Sequence, residues 1–547
     1  MSATPNEIQV QDIDHLGIVA GIVDEIGLVE QVNELLGTHP QEVVSLGQVL
    51  KAMILNGLGF LSAPLYLFSQ SFEGKAMEHL LGAGIEAHHL NDDRLGRALD
   101  RFYEYGVTKL FTTLALRAAD KFGVERERVH LDSSSMAVEG EYVRDEATAS
   151  EAGGEAPKPC PIKITHGYSR DRRPDLKQFL IDTICSGDGD VPLYLRVADG
   201  NEVDCRGFRQ VVEEYRHQWQ FDGLLVADSA LYTAENLKLL QGVKWISRVP
   251  LTLSEAQKVV RQVVPFAGWD GLAKDYRLIE VFRTYAEVAQ RWVIVASEKR
   301  READLKALQK RVKQEEQQWQ PQLNKLSQES FACEAEALKA MKKFEQTLHY
   351  CRLSQVSVVP QAHHGKRGRP KQNSQPQAHS YHLQATLVAN QEIIEEQQRL
   401  AGRFILATNV LECEQLSGVE VLAEYKKQQS SERGFRFLKD PLFFTSSVFL
   451  KSQQRIMALA MVMALCLLVY TLAQRKLRQA LSAAKTGIPN QLGKLTDTPT
   501  MRWVFQCFQS IHLVIVAGHK QISNLTSQRR KILQLLGCSC GRYYLLQ

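Results

Sequence analysis

Apolar residues recur at three- and four-residue spacing through the first quarter of the chain. This is the period at which side chains share one face of an α-helix. Gly37, Gly59 and Gly123 mark the expected helix ends, because glycine tolerates the left-handed conformation that often terminates a helix. The pattern predicts an all-α N-terminal domain over residues 1–125, built from the segments HLGIVAGIVDEIGLVEQVNELLG, LGQVLKAMILNGLGF and RLGRALDRFYEYGVTKLFTTLALRAADKFG.

From Arg126 the pattern changes to short apolar runs rich in β-branched residues. Three runs, a helical segment, a fourth run and a fifth run follow one another within residues 126–250. This is the element order of a ribonuclease-H-like α/β sheet, in which the first and fourth strands are neighbours. The five runs are VHLDSSSMAV, KQFLIDTICSG, VPLYLRVADG, FDGLLVADSAL and KWISRVP.

A large insertion is predicted over residues 251–400, before the strand GRFILATNV and a long helix from Glu420 resume the core in residues 401–480. The insertion opens with β-rich runs and continues through a polar helical stretch, Glu298–Tyr350. Pro321 lies in that stretch and removes a backbone hydrogen bond, which favours two helices folded back as a hairpin over one rod. A spacer and a dimer contact are equally compatible roles for such an arm.

Charge is unevenly distributed, although the net charge is only +4. Residues 1–90 carry eleven Asp or Glu against two lysines, which makes a poor surface for phosphates. Residues 433–547 carry sixteen Lys or Arg against two Asp. We therefore expect a polyanionic partner, because cations that neutralise phosphates release condensed counterions. Residues 481–547 are predicted as a helical basic C-terminal region.

An uncharged run, Ile456–Ala473, reaches the length of about 18 residues needed to cross a bilayer. Cations flank it on both sides, so the positive-inside bias gives no orientation, and we interpret it as a helix surrounded by protein. The N-terminus is polar and acidic, unlike a signal peptide, and the ten cysteines lack zinc-finger spacing. We expect a cytoplasmic protein without membrane association.

Three acidic residues suit a metal-dependent phosphoryl-transfer site. Asp132 and Asp228 end apolar β-rich runs, and Glu432 lies in a helical stretch. A pair of Mg²⁺ ions needs carboxylates on rigid elements that face one point, because hard cations bind oxygen and the two ions clamp both reacting oxygens. A single carboxylate is usually solvated or salt-bridged, so the interpretation depends on the three together.

Basic residues cluster at two places that suit DNA. One patch lies beside the predicted second strand; a solvated charged loop is the alternative, and proximity to the acids favours DNA. The other matches an AT-hook core, in which Gly lets the backbone lie in a minor groove while Arg reaches along its floor; a solvated linker is equally compatible. The residues are His166, Arg170, Arg172, Arg173 and Lys177 in the patch, and Lys366, Arg367 and Arg369 in the AT-hook-like loop.

With these features on one chain, the sequence resembles the DDE transposases of bacterial insertion sequences. The branch it resembles carries its third acid in a Tyr-x₂-Arg-x₃-Glu-x₆-Lys signature. That signature reads Tyr425, Gln428, Glu432 and Lys439, with complete spacing and Gln in place of Arg. The segments LNDDRLGRALD and HGYSRDRRPDLKQ also resemble one group of these enzymes that has a helical N-terminal domain. The resemblance covers most of the chain.

The resemblance implies a ribonuclease-H-like core that cleaves DNA at the terminal inverted repeats of a mobile element and joins the 3′-OH ends to target DNA. It implies two Mg²⁺ ions per site, with Mn²⁺ as a substitute. Asp132 would bridge both ions, and Asp228 and Glu432 would each hold one. The signature residues expected to contact phosphate are Tyr425, Lys439 and, more weakly because it carries no charge, Gln428.

Double-stranded DNA is the expected partner, and action on two element ends implies a homodimer. Such a protein would associate with the nucleoid in a bacterial cytoplasm. The alternatives are a nuclease that cuts without joining and a DNA-binding repressor or scaffold with a decayed core; the presence of all three acids argues against decay. Phe404 occupies a place where some relatives stack an aromatic ring on a flipped base, but core packing is the favoured interpretation.

Overall fold

The computed structural model of this protein describes most of its 547 residues. For a few stretches it describes the backbone alone. The described ranges are 8–59, 67–142, 160–171, 173–203, 207–208, 210–214, 221–262, 270–273, 276–363, 378–438 and 450–546. Backbone alone is described for 270–273, 362–363, 378 and 429–438.

The N-terminal region is helical, as predicted. Helix starts and ends follow local chemistry: Ser45 and Gln48 exchange side-chain-to-backbone hydrogen bonds in a capping box. Gly27 adopts φ 77°, a left-handed conformation that lets one helix end and the next begin. The helices of the described residues here are α1 (Leu16–Ile26), α2 (Leu28–Leu36), α3 (Leu46–Leu58), α4 (Phe68–Ser71), α5 (Met77–Leu81), α6 (Asp92–Tyr105) and α7 (Val107–Lys121).

The prediction that this region is all-α is wrong at its start. A strand, β1 (Ile8–Asp12), precedes α1 and pairs antiparallel with residues 512–516 near the other end of the chain. The apolar and polar residues of IQVQD alternate too briefly to predict a strand on their own. The pairing partner, which is distant in sequence, determines the structure here.

The described residues form one mixed sheet of nine strands. These strands are β2 (Arg128–Val138), β3 (Lys177–Ser186), β4 (Pro192–Ala198), β5 (Leu224–Ala227), β6 (Lys244–Val249), β7 (Asp270–Ala273), β8 (Tyr276–Tyr285), β9 (Val288–Ser297) and β12 (Arg403–Thr408), with β10 (Cys351–His363) and β11 (Ala378–Ala389) pairing in a separate hairpin. The order across the sheet is β4-β3-β2-β5-β6-β12-β9-β8-β7. β2, β5 and β6 are parallel, whereas the remaining neighbours are antiparallel. This arrangement is consistent with a ribonuclease-H-like core.

The sheet extends further than the sequence pattern indicated. Residues 276–297 form β8 and β9 at one side of the main sheet, although the sequence pattern placed them in the insertion. β12 then returns to lie between β6 and β9. Only the segment between β9 and β12 therefore projects as an arm.

Helices cover both faces of this sheet. One face packs against the long signature helix through Val226, Ile246 and Leu406 on the strands and Val421 and Leu422 on the helix. The opposite face joins the large core that includes the N-terminal helices. The helices that follow the strands in the chain are α8 (Ala234–Leu239), α9 (Ser254–Gln262), α12 (Gln391–Leu400) and the signature helix α13 (Gly418–Leu438).

The arm contains a helical hairpin, but its break is not where the sequence predicted. α10 (Glu298–Gln328) continues through Pro321, and the chain turns only before α11 (Glu334–Glu345). Proline removes one hydrogen bond and clashes with a preceding carbonyl, yet packing of α10 against β11 maintains the helix. Trp319 and Phe344 meet edge to face, with ring centres 5.7 Å apart, and join the two helices.

The apolar run lies in α14 (Gln453–Ala483), which is long and apolar enough to cross a membrane, yet 89% of its most apolar window is buried inside the protein. The prediction of a helix surrounded by protein is confirmed.

The prediction of a helical C-terminal region is incomplete, because strands occur there too. The remaining elements are β13 (Ile488–Pro489), β14 (Leu495–Thr496), α15 (Met501–Cys507), β15 (His512–Val516), β16 (His519–Ile522), α16 (Ser527–Leu536) and α17 (Cys538–Gly541).

The two ends of the chain pack together. Lys51 of α3 is buried, and its Nζ lies 2.7 Å from Asp24 Oδ1 and 2.8 Å from Tyr543 Oη. Arg542 also forms an ion pair with Asp24. Burying a lysine is costly unless its charge is paired and hydrogen-bonded, and these contacts supply both. The N-terminal helices and the C-terminal segment thus form one packed unit.

Candidate active site

Two aspartates lie at the same level of neighbouring strands. Leu131 of β2 pairs in parallel register with Ala227 of β5, and the next residue on each strand is Asp132 and Asp228. β5 ends at Ala227, whereas β2 continues to Val138, so Asp132 lies within its strand rather than at its tip. The predicted adjacency of these two strands is confirmed. Their catalytic role stays a prediction.

Both aspartates belong to the face of the sheet that α13 covers. Side chains alternate along a strand, so Asp132 shares a face with Arg128, whose guanidinium contacts Glu424 of α13. In the same way Asp228 continues the series of Val226, which packs in the cluster beneath α13. The carboxylates are therefore placed between the sheet and one helix.

Helix α13 runs alongside β2 in the same direction as the strand. Glu424 contacts Arg128 near the start of β2, and one turn later Gln428 Nε2 donates to the carbonyl of Leu131 at 3.4 Å. Residues four apart lie on one helical face, so Glu432 occupies the next turn of this same face, just past Leu131. The backbone of Glu432 is described, but its side chain lies outside the described residues.

Local hydrogen bonds fix the orientation of the two aspartates. Asp132 Oδ1 accepts the N–H of Ser133 at 2.9 Å, and Asp228 Oδ1 accepts the N–H of Ala230 at 2.9 Å in the turn after β5. Ser247 Oγ donates to the Asp228 carbonyl at 2.7 Å and ties that turn to β6. Short, local bonds of this kind hold carboxylates in place without neutralising their charge.

The chemistry of these side chains fits a divalent cation. Hard cations prefer carboxylate oxygens held on rigid elements, and two half-buried aspartates on adjacent strands provide such ligands. Within the described side chains there is no group of three His, Cys, Asp or Glu that could hold a metal ion. A third ligand would therefore come from outside that set; Glu432, one helical turn after Gln428 on α13, lies outside it.

A further buried acid near the site faces away from it. Asp182 of β3 pairs opposite Ser133 and forms an ion pair with Arg196 at 2.8 Å on the other face of the sheet. Arg196 also binds Glu202 at 2.8 Å, so this carboxylate is already compensated. Asp182 consequently supports strand packing and does not join the cation ligands.

His130 is buried beneath α13, two residues before Asp132. Burial lowers the pKa of its imidazole to about 4, so the ring is neutral at pH 7. In the described part of the chain neither ring nitrogen has a hydrogen-bond partner. A neutral ring here brings no positive charge near the carboxylates that would compete with a cation.

The predicted basic patch lies along the second half of β2, beyond Asp132. The backbone N–H of Arg170 donates to Ser135 Oγ at 3.2 Å, and Lys177 pairs opposite Val138. His166 is exposed, whereas the guanidinium of Arg173 forms a bidentate ion pair with Asp175, with distances down to 2.8 Å. Part of the predicted positive charge is therefore already compensated.

Two of the predicted DNA-contacting residues, Tyr425 and Gln428, pack between α13 and the sheet. Tyr425 is half-buried against the cluster beneath α13, and Gln428 is 8% exposed, so its amide supports β2 in this structure. The other residues lie outside the described part of the chain; they are Arg172, Lys366, Arg367, Arg369 and Lys439.

Arg248 extends the row of the two aspartates, although nothing in the sequence pattern indicated it. Ala227 pairs with Ser247, so Arg248 lies level with Asp228 on the next parallel strand. Ile246 belongs to the cluster beneath α13, which places Arg248 on the same face as the carboxylates. An arginine after a short β-rich run carries no distinguishing signal in the sequence. Only the strand register identifies it.

Phe404 lies between two arginines at this edge of the site. The guanidinium carbons of Arg248 and Arg300 lie 5.9 and 5.3 Å from its ring centre, within cation–π range. Phe404 is 7% exposed and packs in the cluster beneath α13. This is the arrangement expected for core packing. The two arginines are therefore held on a fixed ring beside Asp228.

Comparisons with known proteins point to one family. Residues 125–469 match the model of the transposase DDE domain, and residues 8–116 match a domain of unknown function, DUF4277. No curated protein matches the chain. Among solved structures, the cryo-EM structure of a piggyBac transposase synaptic complex with hairpin DNA is similar, with a TM-score of 0.37 and 9% identity over 92% of this chain and 83% of that chain.

Proposed function

Because the chain belongs to the transposase DDE domain family, whose model matches residues 125–469, we propose that Asp132, Asp228 and Glu432 form its active site. Family membership makes the protein a DNA transposase, an enzyme that cleaves and joins DNA. The observation that carries the residue assignment is the register: Asp132 and Asp228 stand level on parallel strands. Helix α13 crosses the same face and carries Glu432 one turn past its contact with Leu131.

Family members use divalent metal ions, and we propose two Mg²⁺ ions, for which Mn²⁺ can substitute, held by these three carboxylates. Bound divalent cations would lower the pKa of the attacking water and neutralise charge on the transferring phosphoryl group. In this proposal Asp132 would contact both ions, and Asp228 and Glu432 would each hold one. The hydrogen bonds from Ser133 and Ala230 pre-orient the carboxylates, so little reorganisation is needed on binding.

Other residues of the chain would bind and orient DNA. Arg248, level with Asp228, is suited to contact a phosphate of the bound strand, because a guanidinium can donate two parallel hydrogen bonds to phosphate. Gln428 is better suited to positioning β2 against α13 than to binding DNA, given its burial. The proposed DNA-binding residues are Tyr425, Lys439, His166, Arg170, Arg172, Arg173, Lys177, Lys366, Arg367 and Arg369.

We propose that the DNA substrates are the terminal inverted repeats of an insertion sequence and a target duplex. Acting on two ends requires two active sites, so the proposed assembly is a homodimer associated with the bacterial nucleoid. The finer domain division follows the sequence: 1–125, 126–250, 251–400, 401–480 and 481–547. Within it, residues 276–297 join the main sheet.

A cleavage and joining assay tests the proposal. The protein is incubated with Mg²⁺ or Mn²⁺, a labelled duplex carrying the inverted end found next to the coding region, and a supercoiled target plasmid. We expect cleaved ends and joined products. Cleavage without joining would instead support a nuclease, and binding alone a repressor or scaffold.

Single substitutions test the assignment of residues. Asp132→Ala, Asp228→Ala and Glu432→Ala should each abolish cleavage while DNA binding persists, because removing a carboxylate leaves the basic surfaces intact. Asp222→Ala is the matched control, since Asp222 is an exposed aspartate before the other end of β5. Cleavage by Asp132→Ala at the wild-type rate would refute that assignment.

A further inference from the structure

A row of lysines follows one face of α10 in the arm. We call Lys299, Lys306, Lys310 and Lys313 the lysine row; all four side chains are exposed. They are seven, four and three residues apart in the sequence, the spacing that places side chains on one helical face. At about 1.5 Å per residue the row is about 21 Å long.

The fold does not use the lysine row. Leu308 is buried and points to the opposite side of α10, and Glu315 on that side accepts the N–H groups of Tyr350 and Cys351 at 2.9 and 3.1 Å. Among the ion pairs of the described side chains, those within α10 join Arg300 to Asp304 and Arg301 to Glu298, and none involves these lysines. Glu298, Glu302 and Glu316 lie beside the row, and Glu298 is paired with Arg301, so the four positive charges retain a net excess.

The lysine row begins at the end of the sheet strands near which Asp228 lies. Leu406 of β12 pairs with both Arg248 and Val293, so Val293 of β9 lies level with Asp228. β9 points the same way as β5 and continues four residues further, to Ser297, where α10 starts. β9 lies three strand spacings of about 4.8 Å from β5, and Ser297 lies four residues of about 3.3 Å beyond the level of Asp228. These two perpendicular displacements put the start of α10 about 20 Å from Asp228.

We propose that the lysine row binds the phosphate backbone of double-stranded DNA, starting about six base pairs from the cleaved bond, since B-DNA rises about 3.4 Å per base pair. This inference rests on the proposed function, which sets the cleaved bond at Asp132 and Asp228. A row about 21 Å long spans about six base pairs along the DNA axis. Lysine is a point charge on a flexible stem, which suits phosphate contact without base readout.

The test compares two variants with equal charge change. The row variant replaces Lys299, Lys306, Lys310 and Lys313 with Gln, which keeps high helix propensity at exposed positions. The control variant replaces four exposed lysines elsewhere on the same arm, Lys325, Lys339, Lys342 and Lys343, with Gln. Binding of a random-sequence duplex of about 40 base pairs is measured against salt concentration, because phosphate contacts release counterions with a slope of about 0.9 per contact.

We expect the row variant to bind at least about tenfold more weakly at about 0.1 M salt, with a slope smaller by about 3 to 4. The control variant should stay within about threefold of wild type in affinity and keep the wild-type slope. Hydroxyl-radical footprinting of the element-end duplex should show that wild type protects a segment about six base pairs from the cleaved bond and that the row variant loses this protection alone. Circular dichroism of both variants verifies that α10 remains helical.

Equal binding by wild type and the row variant would overturn the proposal, as would an equal loss in the control variant. The proposed function and the proposed DNA-binding surface can be refuted independently of each other. Wild type that binds through the lysine row but never cleaves DNA would refute the proposed function and leave the DNA-binding surface. Normal cleavage with unchanged binding by the row variant would refute the surface alone.

Discussion

Asp132→Asn is expected to stabilise the metal-free protein and to remove its response to divalent cations. Asp132 and Asp228 face the same side of the sheet from neighbouring strands, so their negative charges repel each other whenever no cation lies between them. Asp132 is the residue to change, because Asp228 also has Arg248 level with it on the next strand and would lose that attraction. Asparagine retains the oxygen that accepts the N–H of Ser133, so the substitution changes charge with little change in shape.

The size of this repulsion follows from the strand geometry. Neighbouring strands lie about 4.8 Å apart, which puts level carboxylates on one face about 5 Å apart. Two unit charges at about 5 Å repel by about 1 kcal/mol in bulk water and by about 3 kcal/mol at an effective dielectric constant of about 20. Both aspartates are half-buried, so the gain in stability should fall between these limits.

Thermal unfolding with EDTA and with Mg²⁺ measures both effects. In EDTA the Tm of Asp132→Asn should exceed that of wild type by about 1 to 4 °C. Mg²⁺ at about 100 times its Kd should stabilise wild type by about 2.7 kcal/mol and leave the variant almost unchanged. Asp222→Asn, an exposed change before the opposite end of β5, is the control and should behave as wild type in both buffers.

If Asp132→Asn melted below wild type in EDTA, the two carboxylates would not repel each other as their register predicts. If the variant kept the full Mg²⁺ shift, Asp132 would not hold the cation.

Three further predictions concern DNA binding and stability. Changing Arg172 and Arg173 together to Ala should weaken binding to unrelated DNA sequences about equally in a mobility-shift assay; a loss confined to one sequence would contradict a phosphate-contact role. Burial lowers the pKa of His15 to about 4 from 6.5, so its stabilising neutral form is fully present above pH 6.5 and is lost as pH falls toward 4. Between about pH 8 and pH 5, wild type should lose about 2 kcal/mol more unfolding free energy than His15→Phe, and parallel pH profiles from denaturant titrations would exclude this. Asp24→Asn should lower the free energy of unfolding by about 3 kcal/mol, because it leaves the buried charge of Lys51 poorly compensated. Adding Lys51→Met should restore most of that loss, and a double variant that is no more stable than Asp24→Asn would contradict the role of the ion pair.

The sequence pattern was sufficient where structure depends on neighbouring residues. Helical periodicity identified the N-terminal helices, and an uncharged run flanked by cations identified α14 as a helix surrounded by protein. Short β-rich runs identified β2 to β6, and their order predicted that the strands carrying Asp132 and Asp228 are adjacent. That adjacency follows because β3 and β4 pair in succession on one side of β2, which leaves its other side for β5.

The pattern failed where distant segments determine the structure. β12 lies between β6 and β9, and β1 pairs with β15 across almost the whole chain; neither pairing has a local signal. The continuation of α10 through Pro321 depends on its packing against β11. Arg248 became a candidate only through its register with Asp228. Burial of Gln428 likewise depends on how α13 lies on β2.

The position of β12 also determines how the arm relates to the active site. The arm leaves the sheet from β9 and returns through β12, which pairs with β9 over six residues, so its base is held by strand hydrogen bonds. Gly402 N–H donates to Asp304 Oδ2 at 2.9 Å, and a Cβ at Gly402 would approach the Ser297 carbonyl within 2.7 Å, so glycine permits this close contact. Movement of α10 relative to Asp228 would have to break these bonds. With such a rigid base, the arm would hold DNA at a fixed distance from the proposed active-site residues.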